Sequence, residues 1–266
     1  MPAMETLRQT LGEKAEAFHD IRKIGRTHLQ DAVPITLGQE FTGYAGQIRR
    51  GIERLRSCEN RLSELALGGT AVGTGINTHS AFARKVIALI SKTTGLPFRE
   101  TDNHFQAQSA MDTAVETSGT LKTIAVSLIK IANDIRWLAS GPRCGIGEIN
   151  LPSLQPGSSI MPGKVNPVVP EAVLQVAMQV AGNDTAITLG GQSGFFELNT
   201  ALPLIAHNLL QSIDLLICAV TVFHDRCIGG ITADKARCAN FIEKSLALAT
   251  ALVLSLIHIS EPTRPY

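Results

Sequence analysis

The segment Gly157–Pro167 gathers several side chains that could bind an anion. Two hydroxyls, an ammonium group and an amide occur close together in it, on Ser158, Ser159, Lys164 and Asn166. Each of these groups donates hydrogen bonds, and the lysine adds a positive charge. Asn166 followed by Pro167 is typical of the cap and first turn of a helix, whose N-terminus favours a carboxylate or a phosphate. The segment therefore predicts an anion-binding loop that leads into a helix.

Two glycine patterns that bind nucleotides fit this sequence poorly. The phosphate-binding loop has four residues between its glycines and Ser or Thr after the lysine, whereas here five residues intervene and Val165 follows Lys164. The segment Gly68–Thr78 lacks the third glycine of a dinucleotide-binding turn and follows a predicted helix instead of a strand. We therefore expect Gly68–Thr78 to be a tight turn between packed helices, and an ordinary surface loop is the alternative for Gly157–Pro167.

A third segment, Gly25–Pro34, places a cation, a hydroxyl, an imidazole and a carboxylate in a predicted connection between helices, on Arg26, Thr27, His28 and Asp31. The seven histidines show no His-Glu-x-x-His or comparable spacing, so the sequence gives no support for a metal site. The five cysteines are an odd number without a Cys-x-x-Cys pair, which favours neither a disulfide framework nor a zinc knuckle. A reducing compartment is expected.

The elements that must position these segments are predicted to be long helices. Apolar residues recur every three or four positions, first at Phe41, Tyr44, Ile48, Ile52, Leu55, Cys58, Leu62 and Leu65 and again at Met111, Val115, Leu121, Ile124, Leu128, Ile131, Ile135 and Leu138. Two further stretches, Val168–Leu189 and Leu202–Phe223, are apolar nearly all round, as expected of helices surrounded by other helices or by partner subunits. No strand pattern competes, so we predict an all-α, long-helix bundle.

Composition narrows the possible functions. The 266 residues are 44% hydrophobic and 18% charged with a net charge of +1, so no basic surface for nucleic acid or an anionic membrane is expected. No stretch reaches the ~18 uninterrupted apolar residues of a membrane span, and the N-terminus has no leader pattern. We therefore expect neither nucleic-acid nor membrane partners, and a cytoplasmic or organelle-matrix location.

Taken together, three segments of the chain resemble the signature regions of class II fumarases, within the aspartase/fumarase superfamily. They are Gly25–Pro34, Gly68–Thr78 and the Gly-Ser-Ser-Ile-Met-Pro-Gly-Lys-Val-Asn-Pro segment at 157–167, which is a specific signature of that superfamily. The similarity extends from about Glu5 to Val253, and Lys130–Ile146 resembles a stretch of the family's long central helix.

This resemblance implies a lyase that reversibly hydrates fumarate to L-malate by anti addition and elimination of water. It implies a small dicarboxylate substrate, no metal or organic cofactor, and a homotetramer whose long helices form a shared core. The active sites would draw residues from several subunits. In a eukaryote the expected compartment is the mitochondrial matrix, and otherwise the cytoplasm.

The resemblance also implies roles for individual residues. Ser158 matches the serine that removes the C3 proton of malate, and His28 matches a catalytic histidine partnered by Glu171 across the subunit interface. The implied substrate-binding residues are Thr27, Ser159, Lys164 and Asn166.

The chemistry of the reaction accounts for these residue types. Removing a proton beside a carboxylate puts extra negative charge on that carboxylate, so donors such as Lys164, Asn166 and the helix N-terminus must be in place beforehand. The departing hydroxide needs a proton, which His28 with Glu171 could deliver directly or through water, worth roughly a hundredfold or more. Serine is a poor base unless its anion is stabilised, which Lys164 and the loop amides could do.

Two other functions remain open at this stage. Aspartases of the same superfamily typically carry Gln after Arg-Thr, so His28 favours fumarase over aspartate ammonia-lyase. A non-catalytic helical oligomerisation module, or pseudoenzyme, is the alternative from a different class. The family's N-terminal region has further substrate-binding residues with no counterpart here, so the isolated chain is expected to be inactive.

The expected domain organisation has three parts. Residues 1–230 form an N-terminally truncated central helical bundle, and 231–253 begin a small C-terminal helical domain that Thr232–Asp234 could cap. Residues 254–266 do not resemble the family and are expected to be an artefact of read assembly or a frame change.

Overall fold

A computed structural model describes residues 1–252. Its α-helices are α1 Pro2–Ala17, α2 Leu37–Leu62, α3 Phe82–Thr94, α4 His104–Ser109, α5 Asp112–Leu138, α6 Val168–Gly191, α7 Leu202–Arg226 and α8 Lys235–Lys244. Short 3₁₀ helices lie at Ile228–Gly230 and Leu246–Leu252. The all-α prediction is confirmed, and the two apolar series follow α2 and α5, except that Leu65 lies in β3 and Met111 precedes α5. The expected tail at 254–266 lies outside the described residues.

The strands are short and form two-stranded ladders. They are β1 Arg22–Thr27, β2 Gln30–Thr36, β3 Glu64–Leu65, β4 Arg99–Glu100, β5 Ile149–Asn150, β6 Gly194–Phe195, β7 Leu198–Asn199 and β8 Thr232–Ala233. The pairs β1–β2, β5–β8 and β6–β7 are antiparallel, and β3–β4 is parallel.

The prediction of a plain helix connection at Gly25–Pro34 is wrong, because β1 and β2 form a hairpin there. Three consecutive residues of β1, Lys23 to Gly25, are all buried, so the strand lacks the alternation that reveals a half-buried strand. Pro34 lies within β2, and because proline cannot donate a hydrogen bond to a neighbouring strand, its presence in the sequence does not favour a strand. A register shift between Ile24 and Arg26 marks a bulge at Gly25, where a Cβ would lie 2.8 Å from the Val33 carbonyl oxygen.

The chain divides into two compact units, each built from three segments. Within the described residues, unit 1 comprises 1–5, 48–132 and 171–221, and unit 2 comprises 6–47, 133–170 and 222–252. The division of the sequence at residue 230 stays a prediction. Within unit 2, Asp234 caps α8, as its side chain accepts a hydrogen bond from the Arg237 amide at 2.8 Å.

In unit 1 the core lies along the apolar stripes of the long helices. Its buried side chains include Ile52 on α2, Ile124 and Leu128 on α5, Val180 on α6 and Leu216 on α7. Between β3 and α3, the segment Gly68–Thr78 turns through positive φ angles at Gly68, Thr70, Gly73, Gly75 and Asn77. It is therefore a tight connection, as expected, although two-residue strand β3 separates it from α2.

Helix α7 lies within Leu202–Gly230, a segment long and apolar enough to cross a membrane, with a mean hydropathy of 1.6. Core helices of soluble proteins can be equally long and apolar. In this structure, 28% of the segment's most apolar 18 residues are buried. Two of its polar side chains have a partner inside unit 1, since Asn183 donates to Ser212 Oγ and to Gln211 Oε1, each at 3.0 Å. The absence of a membrane partner stays a prediction.

The core of unit 2 forms around the start of α2. Phe41 is fully buried, with its ring 5.3 Å from that of Phe18 and 5.4 Å from that of Tyr44, both in edge-to-face geometry. At the first turn, the Gly38 amide donates to the Phe18 carbonyl at 2.9 Å. A Cβ on Gly38 would lie 2.4 Å from the Ala15 carbonyl oxygen, so only glycine allows this approach.

Substitution of Gly38 by alanine is expected to destabilise the chain by about 1–3 kcal/mol, because the added methyl group meets backbone atoms that cannot move cheaply. The matched control is Gly43→Ala on the same helix, where a Cβ meets nothing within 4 Å. That change should stabilise by roughly 0.5–1 kcal/mol through the lower backbone entropy of alanine. Urea unfolding measures both, and equal stabilities of the two variants would contradict this packing.

Candidate active site

The loop between β5 and α6 holds Ser158 with its oxygen facing backbone amides. Ser158 Oγ accepts hydrogen bonds from the amides of Ile160 at 3.2 Å and Met161 at 3.1 Å. The loop is closed by the Gly157 amide, which donates to the Lys164 carbonyl at 2.9 Å. A Cβ on Gly157 would lie 2.3 Å from that oxygen, which explains the glycine. Because amide donors favour an anion over a neutral hydroxyl, they lower the cost of charge on Ser158 Oγ.

Asn166 closes the same loop from its other end. Its side-chain amide donates to the Gly157 carbonyl at 3.2 Å, and its own carbonyl accepts from the Val168 amide. Helix α6 begins at Val168, so the prediction of Asn166 as cap and Pro167 as first helical residue is wrong by one position. The Asn166 side chain is used within the loop instead. The loop still leads directly into a helix N-terminus, as expected.

Two polar residues of this loop face solvent. Ser159 and Lys164 are exposed, and Lys164 makes no side-chain ion pair within residues 1–252. The segment Ser153–Val165 surrounds an open pocket of about 510 Å³. An unpaired ammonium group, two serines and a nearby helix N-terminus give this pocket the donors that bind a carboxylate.

Thr27 and His28 lie at the turn of the β1–β2 hairpin. Thr27 ends β1 opposite Gln30, and His28 with Leu29 forms the two-residue turn. Both turn residues have positive φ, 54° and 59°, as a tight hairpin turn of this length requires. This conformation is costly for side chains other than glycine, and such strain is often found at functional positions. Thr27 and His28 are both exposed.

Glu171 lies in the first turn of α6 and is half-buried. A carboxylate in a first turn is stabilised by the helix dipole. The structure therefore brings Ser158, Ser159, Lys164 and Asn166 together in one loop, and Thr27 and His28 in one turn. No hydrogen bond joins that turn to the serine loop among the described residues of unit 2.

Unit 2 also contains a buried charged cluster that was not predicted from the sequence. It comprises Lys23, Arg26, Glu40 and Glu148, with ion-pair distances of 3.0–3.2 Å. Burial raises the pKa of the Glu40 carboxyl, and the Lys23 ammonium opposes that rise. Lys23 and Glu148 are 125 residues apart along the chain and Arg26 and Glu148 are 122 apart, so residue spacing does not indicate these pairs.

Next to this cluster, the Tyr44 hydroxyl donates to Asp134 Oδ2 at 3.0 Å. Burial, followed by the nearby Glu40 and Asp134 carboxylates, raises the pKa of Tyr44 above its ordinary value. Tyr44 therefore stays protonated at neutral pH and donates its hydrogen bond to Asp134. Within residues 1–252, no group of three or more His, Cys, Asp or Glu side chains is arranged to hold a metal ion.

Comparison with known proteins identifies the family. Residues 1–182 match the family described as Lyase, which is more than half of the chain. The chain belongs to this lyase family. Among curated relatives, the chain is 59% identical over 252 residues to the class II fumarate hydratase of Nitrosomonas europaea, covering 95% of this chain and 54% of that protein. It is 53% identical to the mitochondrial fumarate hydratase 1 of Arabidopsis thaliana, covering 95% and 51%.

A solved structure agrees with the fold of this chain. The class II fumarase of Schistosoma mansoni superposes with a TM-score of 0.93 at 36% identity, covering 95% of this chain and 56% of that one. The resemblance to class II fumarases is thereby confirmed, as is the helical fold. The chain spans about half the length of the curated relatives it matches.

Proposed function

We propose that this lyase carries out the reversible hydration of fumarate to L-malate, as part of an assembly that completes its active site. The observation that carries the proposal is Ser158, whose Oγ accepts two backbone amide hydrogen bonds beside an exposed lysine. Those amides stabilise the serine anion that proton removal requires. The similarity to proteins named fumarate hydratase supports the same reaction.

The proposed elimination begins at C3 of malate. Ser158 Oγ takes the C3 proton, and the electron pair left behind delocalises into the adjacent carboxylate. The Lys164 ammonium, the Ser159 hydroxyl, the Asn166 amide hydrogen not bound to Gly157 and the α6 N-terminus supply the donors that stabilise the added charge. The C2–O bond then breaks as the double bond of fumarate forms.

The proposed acid for the departing hydroxide is His28, partnered by Glu171 of another subunit. The histidine delivers a proton directly or through a bound water, so that water leaves. Thr27, beside it at the turn, binds the substrate. Addition of water runs through the same steps in reverse. Carbon oxidation changes at C2 and C3 cancel, so the reaction requires no redox cofactor, and we propose no metal or organic cofactor.

The proposed partner is a set of identical subunits in a homotetramer. In unit 1, large apolar side chains stay exposed on the long helices, including Val126 of α5, Met178 of α6, and Leu210 and Ile217 of α7. Apolar surface of this extent on helices is typical of a subunit interface. We further propose a cytoplasmic location, or the mitochondrial matrix in a eukaryote, and a second domain that begins near residue 231.

The test uses a chimaera, defined as the Nitrosomonas europaea relative with its 252 matched residues replaced by those of this chain. The chimaera should form fumarate from malate, seen as rising ultraviolet absorbance, and should not form it from aspartate. The isolated chain should show no turnover. Fumarate from aspartate alone would establish an ammonia-lyase instead, and a folded, assembled chimaera inert with both substrates would favour a non-catalytic module.

Aspartate at both Leu210 and Ile217 of α7 is expected to dissociate the tetrameric chimaera, because two buried charges at a subunit interface would lack partners. Mass from light scattering after size-exclusion chromatography measures this, and circular dichroism reports the helices. Arg50→Asp on the exposed face of α2 is the control and should leave the mass unchanged. A tetramer that survives the double substitution would contradict the proposed interface.

A further inference from the structure

Glu148 is fully buried and lies between the hairpin and the serine loop along the chain. Its carboxylate receives both arms of the Arg26 guanidinium, with Nη1 to Oε2 and Nη2 to Oε1 each at 3.0 Å. The Lys23 ammonium lies 3.1 Å from Oε2. Two cations of β1 therefore meet one carboxylate that precedes β5, and the paired guanidinium bonds fix orientation as well as distance.

The backbone of Glu148 is held as firmly as its side chain. Its amide donates to the Leu138 carbonyl at the end of α5 at 2.8 Å, and its carbonyl accepts from the Asp234 amide at 2.9 Å. Asp234 in turn caps α8. Glu148 is thus anchored to two helices before the chain continues through β5 into the serine loop, where Ser158 follows.

The hairpin side of this contact is equally constrained. Arg26 immediately precedes Thr27, and its guanidinium lies 5.4 Å from the ring centroid of Phe241 on α8. The guanidinium of Arg237 lies 4.9 Å from the same ring. Lys23, only 1% exposed, donates to the Ile24 carbonyl at 3.1 Å and pairs with Glu40. The strand that ends at the turn is therefore held at two of its three cations, Lys23 and Arg26, whereas Arg22 is exposed.

Stability alone does not explain this arrangement. The attraction within a buried ion pair generally offsets little more than the cost of desolvating its charges. Apolar side chains of similar volume often give the same or greater stability. What the Arg26–Glu148 pair provides is a fixed geometry for a hairpin whose turn residues, His28 and Leu29, adopt a strained conformation. Strain of this kind persists only where the surroundings impose it.

We propose that Arg26 and Glu148 are positioning residues that hold the Thr27–His28 turn in register with the segment leading to Ser158. The paired guanidinium bonds transmit the anchored position of Glu148 to the turn, so that His28 is presented to the substrate in one orientation. This inference rests on the proposed function for its catalytic consequence, whereas its structural part concerns the hairpin alone.

Arg26→Lys separates positioning from simple charge neutralisation, because lysine keeps the charge but cannot form the paired bonds. In the chimaera, kcat for fumarate should fall by about 100-fold, as expected when a catalytic group is displaced by roughly 1 Å. The fold-change in kcat should exceed the fold-change in KM. Amide hydrogen exchange of residues 27–31, measured by mass spectrometry, should accelerate by about tenfold as the turn opens more often. The matched control is Arg22→Lys, on the same strand and exposed, which should change neither quantity.

A double variant, Arg26→Gln with Glu148→Gln, removes both charges and so keeps the test decisive if Arg26→Lys fails to fold. Positioning predicts that it too has a low kcat and fast hairpin exchange. Wild-type kcat and exchange in Arg26→Lys, or their recovery in the double variant, would overturn the inference. If the unsubstituted chimaera shows no turnover, the proposed function fails, while hairpin exchange still decides whether Arg26 and Glu148 hold the turn.

Discussion

Replacement of Ser158 by alanine is expected to lower kcat for fumarate hydration by the chimaera about 10³-fold, within the range that a positioned proton-transfer group contributes. The methyl group cannot take the C3 proton, and the amides of Ile160 and Met161 lose the oxygen to which they donate. Initial rates from the ultraviolet absorbance of fumarate measure the loss.

Ser80→Ala provides the control for the Ser158 prediction, since it removes an exposed loop hydroxyl outside the proposed site. Its kcat should match that of the unsubstituted chimaera. Circular dichroism and mass measurements would show that both variants fold and assemble. A Ser158→Ala variant that retains more than about a tenth of the activity would rule out this serine as the base.

Alanine at Glu148 is expected to cost about 3–5 kcal/mol of the free energy of unfolding, because removing one partner of a buried ion pair leaves its cations uncompensated. Lys23 would retain Glu40, but Arg26 would lose both of its carboxylate hydrogen bonds. Urea unfolding of the chain, followed by circular dichroism, gives the change in midpoint at constant slope.

The exposed pair Arg49–Glu53 on α2 supplies the comparison for Glu148. Its side chains are about half exposed, so Glu53→Ala should cost no more than about 1 kcal/mol. The two variants remove the same type of side chain and differ in burial. Similar losses from both would contradict the description of Glu148 as a fully buried partner of Lys23 and Arg26.

Helices α2 and α5 could be predicted because each has one apolar stripe, and α6 and α7 because each is a long stretch that is apolar nearly all round. The stripe of α5 continues without a break to Leu138, and burial follows it at Ile124, Leu128, Ile131 and Ile135. The cap of α8 could be predicted too, since Asp234 is followed by a helical pattern and accepts the hydrogen bond expected of it.

The hairpin that carries Thr27 and His28 could not be predicted from local pattern. Its turn lacks the Asn-Gly or Asp-Gly pair that usually marks a two-residue turn, and one of its strands contains proline. What holds it is the contact of Lys23 and Arg26 with Glu148, and pairing between charges so far apart leaves no trace in residue spacing.

The residues of the serine loop could be predicted, but their arrangement could not. The sequence identifies Ser158, Lys164 and Asn166 as a cluster of donors. The structure adds that Ser158 Oγ accepts two amides and that Asn166 ties the loop to Gly157. These contacts depend on the backbone conformation at Gly157 and Gly163. The sequence shows that glycines occur there, but not which way the chain turns.

The most direct test of the account is hydration of fumarate by the chimaera in D₂O, with proton NMR of the malate formed. Anti addition through one positioned base predicts malate that carries a single deuterium at C3 in one of the two diastereotopic positions. The same product should be nearly lost in Ser158→Ala. Malate with deuterium in both positions, or no malate from a folded and assembled chimaera, would contradict the proposed function.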